Sequence, residues 1–394
     1  MIEQMFGSIV GRQRDLVDLR RDLHAHPELG FQETRTSGIV SERLKHAGLE
    51  VRTGVARTGV VGVLKGEKTG RTVMVRADID ALPILEAENR PYRSQNPGVM
   101  HACGHDGHTA VAVVLAEVLA GFRRELPGSV VFVFQPAEEI TSGALPMIEA
   151  GVMDDPKVDA VVGLHLWNDL PAGIVALRAG PIFAAMDRIA ITIEGKGGHG
   201  GIPHQTADPI VAAGHVVTAL QTIVSRETAP LDAAVVTIGA IAGGTAFNII
   251  PDRVEMQGTV RTFTKEVRER TMRRIEEIAA GTAAALRCRG TVNSQFGCPP
   301  VRNDPAVTDL VRRVAIEAVG AGRVVEMEPT TGADDMAYFL ERAPGCYFLV
   351  GSANRERGLD GRHHTAQFDF DESALPVAVR VLGGAALRLL GGEA

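Results

Sequence analysis

The sequence predicts an α/β protein of two domains, in which a mixed sheet flanked by helices is interrupted by a smaller inserted unit with the ferredoxin-like order βαββαβ. Three observations lead there. Short apolar runs such as Val130–Phe134 alternate with amphipathic stretches, as expected of buried strands separated by helices. After Gly180-Pro181 the order becomes strand, helix, strand, strand, helix, strand, and α/β character resumes at Pro299-Pro300. A chain of 394 residues also exceeds what one core ordinarily supports. The expected division is residues 1–182 with 299–394 as one discontinuous domain and 183–298 as the other.

The elements follow in order. Leu16, Leu19 and Leu23 recur at helical spacing over residues 12–24, and Pro27 stops that helix. A second helix spans 36–48. Strands follow at 59–64 and 72–77, and the latter runs into Asp78 and Asp80. An apolar helix begins near residue 105. The strand 129–134 ends in Glu138-Glu139, and the strand 158–164 ends on His165. Successive buried strands thus deliver metal- or proton-competent side chains at one end, where α/β sheets place their sites. The inserted unit reads as strand 188–194, helix 207–225, strands 234–241 and 253–263, helix 265–286 and strand 290–296. Helices at 304–319, 334–340 and 372–390 and a strand at 345–351 complete the chain.

Composition limits the function. A net charge of −7 argues against nucleic acid and anionic membranes, which bind basic patches. No apolar run reaches 18 residues, so no membrane span is expected. The first residues lack a basic segment followed by an apolar core, so no signal peptide is expected. Four scattered cysteines give no disulfide framework and fit a reducing cytoplasm.

The densest chemistry lies in Met100-His-Ala-Cys-Gly-His-Asp-Gly-His108, since the whole chain has only 12 His and 4 Cys. Imidazole, thiolate and carboxylate together suit a borderline-soft divalent ion; a polar loop that merely caps the following helix is the alternative. Cys103, His105, Glu139, His165 and one of His363 and His364 form a candidate ligand set for two ions, which in hydrolytic sites lie ~3.5–4 Å apart and share a ligand. Of Glu138 and Glu139, one can bind metal while the other stays free as general base. Water on such ions has its pKa drawn towards ~7, within reach of a carboxylate base. Asp80 could orient a ligand from behind. In the inserted unit, His199 sits in a glycine-rich loop, Asn248 follows Gly243-Gly-Thr-Ala-Phe as a candidate substrate hydrogen-bonder, and Arg261 could pair with a substrate carboxylate or simply lie on a strand surface.

These motifs, with Asp22-Leu-His-Ala-His-Pro-Glu-Leu-Gly30, Arg76-Ala-Asp-Ile-Asp-Ala-Leu-Pro83, Gln135-Pro-Ala-Glu-Glu139, Gly195-Lys-Gly-Gly-His-Gly-Gly-Ile-Pro-His204 and Phe247-Asn-Ile-Ile-Pro-Asp252, resemble the dinuclear-metal amidohydrolases. That family includes hippurate hydrolase, auxin-conjugate hydrolases and N-acyl-amino-acid deacylases, and the resemblance covers nearly the whole chain. It implies Cys103, His105, Glu139, His165 and His364 as ligands of two divalent ions (Zn, Mn, Co or Ni), with Glu138 as general base. Phe368, four residues on, selects His364 over His363, although the following Thr365-Ala366 departs from the family's usual Ser/Asn-Pro. The resemblance makes His199 an oxyanion partner, often donated by the neighbouring subunit. It makes residues 183–298 a lid and dimerisation domain of a homodimer or dimer-based tetramer. His24 and His26 belong to the pattern but not as ligands. The implied reaction is hydrolysis of N-acyl amino acids, such as hippurate-like or N-acetyl substrates, by metal-activated water. A dipeptidase, a hydrolytic deaminase or a non-catalytic metal-binding protein are the alternatives; the last predicts loss of Glu138, which is present.

Overall fold

The computed structural model describes residues 2–87 and 90–393. The chain divides into two compact units, Met1–Ile182 with Val301–Glu328 and Asp334–Ala394, and Phe183–Pro300 with Pro329–Ala333.

The first unit is built on an eight-stranded mixed sheet. Its strands run in the order Glu50–Val55, Gly59–Lys65, Pro127–Gln135, Lys68–Asp78, Ala160–Pro171, Gly345–Ala353, Val175–Leu177, Val324–Glu326. The centre is parallel: Lys68–Asp78 pairs with Pro127–Gln135 on one side and Ala160–Pro171 on the other, and Ala160–Pro171 pairs with Gly345–Ala353. These central strands are the contiguous apolar runs, buried on both faces as parallel strands must be. Each fully buried Val or Phe contributes about 1.5–3 kcal/mol of transfer free energy, so Val130–Phe134 anchors the sheet.

Helix His105–Ala120 packs on this sheet beside the closing helix Ala374–Leu390. Its first twelve residues are all buried, which explains why its sequence shows little amphipathic contrast. Two glycines permit its entry. Gly104 stands at φ 88°, in the left-handed region. A Cβ on Gly107 would lie 2.5 Å from Leu166 Cδ1 and 2.8 Å from Phe370 Cζ, so only glycine lets the first turn approach the Ala160–Pro171 strand this closely.

The second unit holds a four-stranded antiparallel sheet, ordered Ala234–Gly243, Arg253–Thr262, Ala185–Glu194, Arg289–Gln295. With helices Pro209–Thr222 and Lys265–Ala285 this is the ferredoxin-like arrangement. Ile189, Ile191 and Ile193 alternate into its core, and the helices begin at the side-chain caps Asp208 and Thr264.

The fold class therefore agrees with the sequence reading, with local differences. Helix Ile2–Val10 and the largely exposed strand Glu50–Val55 were not expected. The strand expected to end on His165 continues to Pro171, because Gly345–Ala353 pairs along it past His165. No helix of the described residues is long and apolar enough to cross a membrane.

Candidate metal centre

The cluster forms at the carboxyl edge of the parallel strands. Asp78 ends its strand and Asp80 follows it; Glu138 and Glu139 follow Gln135, the residue paired with Asp78. The pairing of Lys68–Asp78 with Ala160–Pro171 ends at Arg76 and Gly163, so His165 stands just beyond that shared edge. Cys103 precedes the helix that His105 opens. His364, at φ 60°, donates its backbone N–H to Ala102 O at 2.9 Å, which brings the late loop onto the Cys103 loop.

Two groups of potential ligand atoms share Cys103. One is Cys103, His105 and His165, and the other is Cys103, Glu139 and His364, each with its atoms within 4.8 Å of one another. Cys103 Sγ lies 3.4 Å from His165 Nε2, and His364 Nε2 lies 3.3 Å from Glu139 Oε2. His105 Nε2 stands 3.8 Å from Glu139 Oε1 and 3.9 Å from Glu138 Oε2.

Hydrogen bonds sort the histidines. A carbonyl oxygen only accepts, so a ring nitrogen facing one carries the hydrogen. His105 Nδ1 faces Asp80 O at 2.9 Å and His165 Nδ1 faces Leu166 O at 2.6 Å. His165 therefore presents the lone pair of Nε2 to the cluster, and His105 does so once its Nε2 gives up its proton, the arrangement that metal-binding histidines adopt. His363 differs. Its Nε2 accepts the Asn168 N–H at 3.1 Å, so its Nδ1, 3.8 Å from Cys103 Sγ, carries the hydrogen and points a donor at sulfur. His108 is fully committed: Nδ1 donates to Asp78 Oδ1 at 2.6 Å and Nε2 accepts the Leu166 N–H at 2.9 Å.

The remaining polar atoms fit a cation. His105 Nε2 and Glu139 Oε1 are buried with no hydrogen-bond partner among the described residues, and leaving such groups unmatched costs about 1–3 kcal/mol each. Burial, together with the Asp80 and Asp78 charges, pushes the Glu139 carboxyl up to about 8 against the pull of His105. Burial and the charges of Asp334, Glu139 and Asp335 hold the Glu138 carboxyl well above its ordinary range. Burial and both glutamates raise the Cys103 thiol. Positive charge placed among these groups would reverse each trend.

The structure brings Cys103, His105, Glu139, His165 and His364 together, with Glu138 beside them. Asp80 touches two of these residues: its carbonyl accepts from His105, and its Oδ2 accepts the Glu139 N–H at 3.0 Å. His199, Asn248 and Arg261 belong to the second unit. Sequence reasoning overlooked Arg76 and Glu33. Arg76 is fully buried and binds Asp78, Asp334 and Asp335. Glu33 accepts the Ala137 N–H at 2.9 Å and so holds the Glu138 loop, where Ala137 sits at φ 54°. An arginine inside the apolar strand 72–77 was a readable signal for the first. Glu33 gave none, since its partner lies 104 residues away.

A cluster of potential metal ligands at the carboxyl edge of an α/β sheet, with a further carboxyl at hand, is the arrangement of a two-domain metallohydrolase. Residues 74–388 match the model of Peptidase family M20/M25/M40, and the chain belongs to that family. It is 42% identical over 380 residues to the N-acetyl-L-cysteine deacetylase of Bacillus subtilis (strain 168), covering 96% of this chain and 89% of that one. It is 39% identical over 379 residues to IAA-amino acid hydrolase ILR1-like 4 of Arabidopsis thaliana, covering 95% of this chain and 86% of that one. The crystal structure of Bacillus subtilis YXEP protein, described as a dinuclear metal binding peptidase from the M20 family, superposes with a TM-score of 0.84 at 37% identity, covering 97% of this chain and 99% of that one. The protein is a metal-dependent amide hydrolase.

Proposed function

We propose that the protein hydrolyses the amide bond of N-acyl amino acids at a centre of two divalent ions held by Cys103, His105, Glu139, His165 and His364. The observation that carries the reading is Glu138, a buried carboxyl beside the ligand cluster and next in sequence to Glu139. The names of the two relatives, a deacetylase of an N-acetylated amino acid and a hydrolase of an amino-acid conjugate, support the substrate class.

The ions, when bound, acidify the attacking water and polarise the scissile carbonyl. Glu138 takes the proton of that water and passes it to the amide nitrogen as the C–N bond breaks, leaving a carboxylic acid and a free amine. Asp80 holds His105 and Glu139 in place through the contacts above. His199 serves as oxyanion donor: its Nδ1 accepts the Gly201 N–H at 3.0 Å, which puts its hydrogen on Nε2, and the side chain is exposed. Arg261 receives the substrate carboxylate, supported by a buried guanidinium nitrogen, Nη1, without a hydrogen-bond partner among the described residues. Asn248, on an exposed segment next to Phe247, hydrogen-bonds substrate. The second unit acts as lid and dimerisation domain of a homodimer or dimer-based tetramer. Its exposed Ile210, Val211, Ile241, Phe247 and Ile249 support an apolar contact there.

The test is a panel of N-acetyl, N-benzoyl and indole-acetyl amino acids assayed after reconstitution with Zn, Mn, Co or Ni ions. Release of free amino acid from at least one series is expected. Cleavage of unblocked dipeptides alone would replace the reading with a dipeptidase.

A further inference from the structure

His105 and His165 reach the cluster on different elements, helix His105–Ala120 and strand Ala160–Pro171. One buried side chain joins those elements. The strand's pairing with Lys68–Asp78 ends at Gly163, so the Leu166 N–H on that side has no strand carbonyl to meet. His108 supplies the missing acceptor: Leu166 N–H donates to its Nε2 at 2.9 Å. The other face of the same residue does the orienting, since Leu166 O accepts the His165 Nδ1 hydrogen at 2.6 Å. His108 is itself held from behind. Its Nδ1 donates to Asp78 Oδ1 at 2.6 Å, and Asp78 Oδ2 accepts from Arg76 Nη1 at 2.7 Å. The ring lies 4.6 Å from that of His165 and 5.4 Å from that of His105, centroid to centroid.

We propose that His108 is a positioning residue of the metal centre: by fixing the backbone at Leu166, whose N–H it accepts and whose carbonyl, in the next peptide group, takes the His165 Nδ1 hydrogen, it sets the direction of His165 Nε2. Asp78, His105 and His108 are close enough to be read as an ion site of their own. The hydrogen bonds exclude that use, because neither His108 nitrogen keeps a free lone pair. The inference rests on His165 being a ligand, as proposed above.

Two amide substitutions separate the ring's two contacts. His108→Gln can place an acceptor where Nε2 was and give up the donor to Asp78; His108→Asn can keep a donor near Nδ1 and give up the acceptor for Leu166. The metal-stripped protein is titrated with Co²⁺, following the visible bands and the thiolate charge-transfer band of Cys103, and its thermal midpoint is measured without metal. His108→Asn and His108→Ala are expected to weaken Co²⁺ binding by about 10- to 100-fold and alter the bands, the usual size of effect for a residue behind a ligand. His108→Gln is expected to restore both, whatever the metal-free midpoints do. The proposal is overturned if His108→Ala binds Co²⁺ as the natural protein does, if Gln and Asn weaken binding equally, or if neither amide variant folds. His165→Ala serves as the reference. Should it also leave binding unchanged, the ligand assignment itself is wrong; should it weaken binding while His108→Ala does not, only the positioning role falls.

Discussion

Loading the metal-stripped protein with divalent ions at pH 7 should expel about two to three protons from the ligands, which must be deprotonated to bind, and up to about one more from Glu138, whose raised carboxyl ionises beside positive charge. The ligand number follows from three groups. Glu139, with its carboxyl pushed up to about 8, lies above pH 7 and is mostly protonated. The Cys103 thiol, raised by burial and by Glu139 and Glu138, carries its whole proton. His105 is lifted to about 10: burial opposes its charge, but Asp78, Asp80 and Glu139 outweigh that, so it starts as an imidazolium. Full release from all three approaches three protons. A neutral Glu139 withdraws part of the field that keeps His105 charged, which sets the lower figure.

The sign of the pH dependence follows. Metal affinity should climb as pH rises through neutrality, since fewer protons must leave. Release should fall by about one proton as pH passes 8 and Glu139 ionises unaided. Isothermal titration calorimetry in buffers of differing ionisation enthalpy measures the count directly, from the slope of observed heat against buffer enthalpy. Release of less than one proton at pH 7, or no decline between pH 7 and 9, would refute the reasoning. The first outcome would mean that the metal-free cluster already holds ionised sulfur and carboxylate, the second that Glu139 does not titrate between pH 7 and 9.

Other substitutions test single roles. Glu138→Gln should keep its metal by elemental analysis yet lose about 10²–10⁴-fold in kcat, the range for a general base, and near-normal turnover would remove it from that role. His199→Ala should slow kcat about 10²–10³-fold at unchanged metal content, as for a lost oxyanion donor; unaltered kinetics would reduce it to a loop residue. Glu33→Ala strands the buried Ala137 N–H and should cost about 1–3 kcal/mol in stability, read by denaturant unfolding. It should also lower kcat, because the same bond holds the Glu138 loop, and a stability loss at unchanged kcat would confine Glu33 to the core.

Much of the fold was legible because its centre is written in contiguous apolar runs. Val130–Phe134 has the length and the β-branched and aromatic content of a buried strand, and the largely apolar run 109–119 is long enough for a helix in a core. The edges were not legible for the converse reason. Glu50–Val55 is mostly exposed and carries no apolar alternation, and Val175–Leu177 and Val324–Glu326 owe their strand state to neighbours far away in sequence. The same division runs through the candidate site. Density marked Cys103, His105 and their neighbours, and the ends of apolar runs marked Glu138, Glu139 and His165. Glu33, whose partner Ala137 is distant in sequence, carried no local signal, and Arg76 showed only as a charge inside an apolar run, its partners Asp334 and Asp335 being equally distant.

The histidines show why spacing cannot finish the assignment. His105 and His108 are three residues apart on one helix, so they share a face and both point at the cluster. By proximity alone they are interchangeable, and both fall in groups able to hold an ion. What separates them is the second nitrogen of each ring. Asp80 O takes the hydrogen of His105 Nδ1 and leaves Nε2 free, whereas Asp78 and the Leu166 N–H use both nitrogens of His108. The same distinction divides His364 from His363, whose Nε2 is occupied by Asn168 N–H. Each deciding partner is a backbone group or a carboxylate supplied by another strand or loop. Which histidines are available as ligands is thus a property of which lone pairs the fold leaves unspent, and the residue types alone do not contain it.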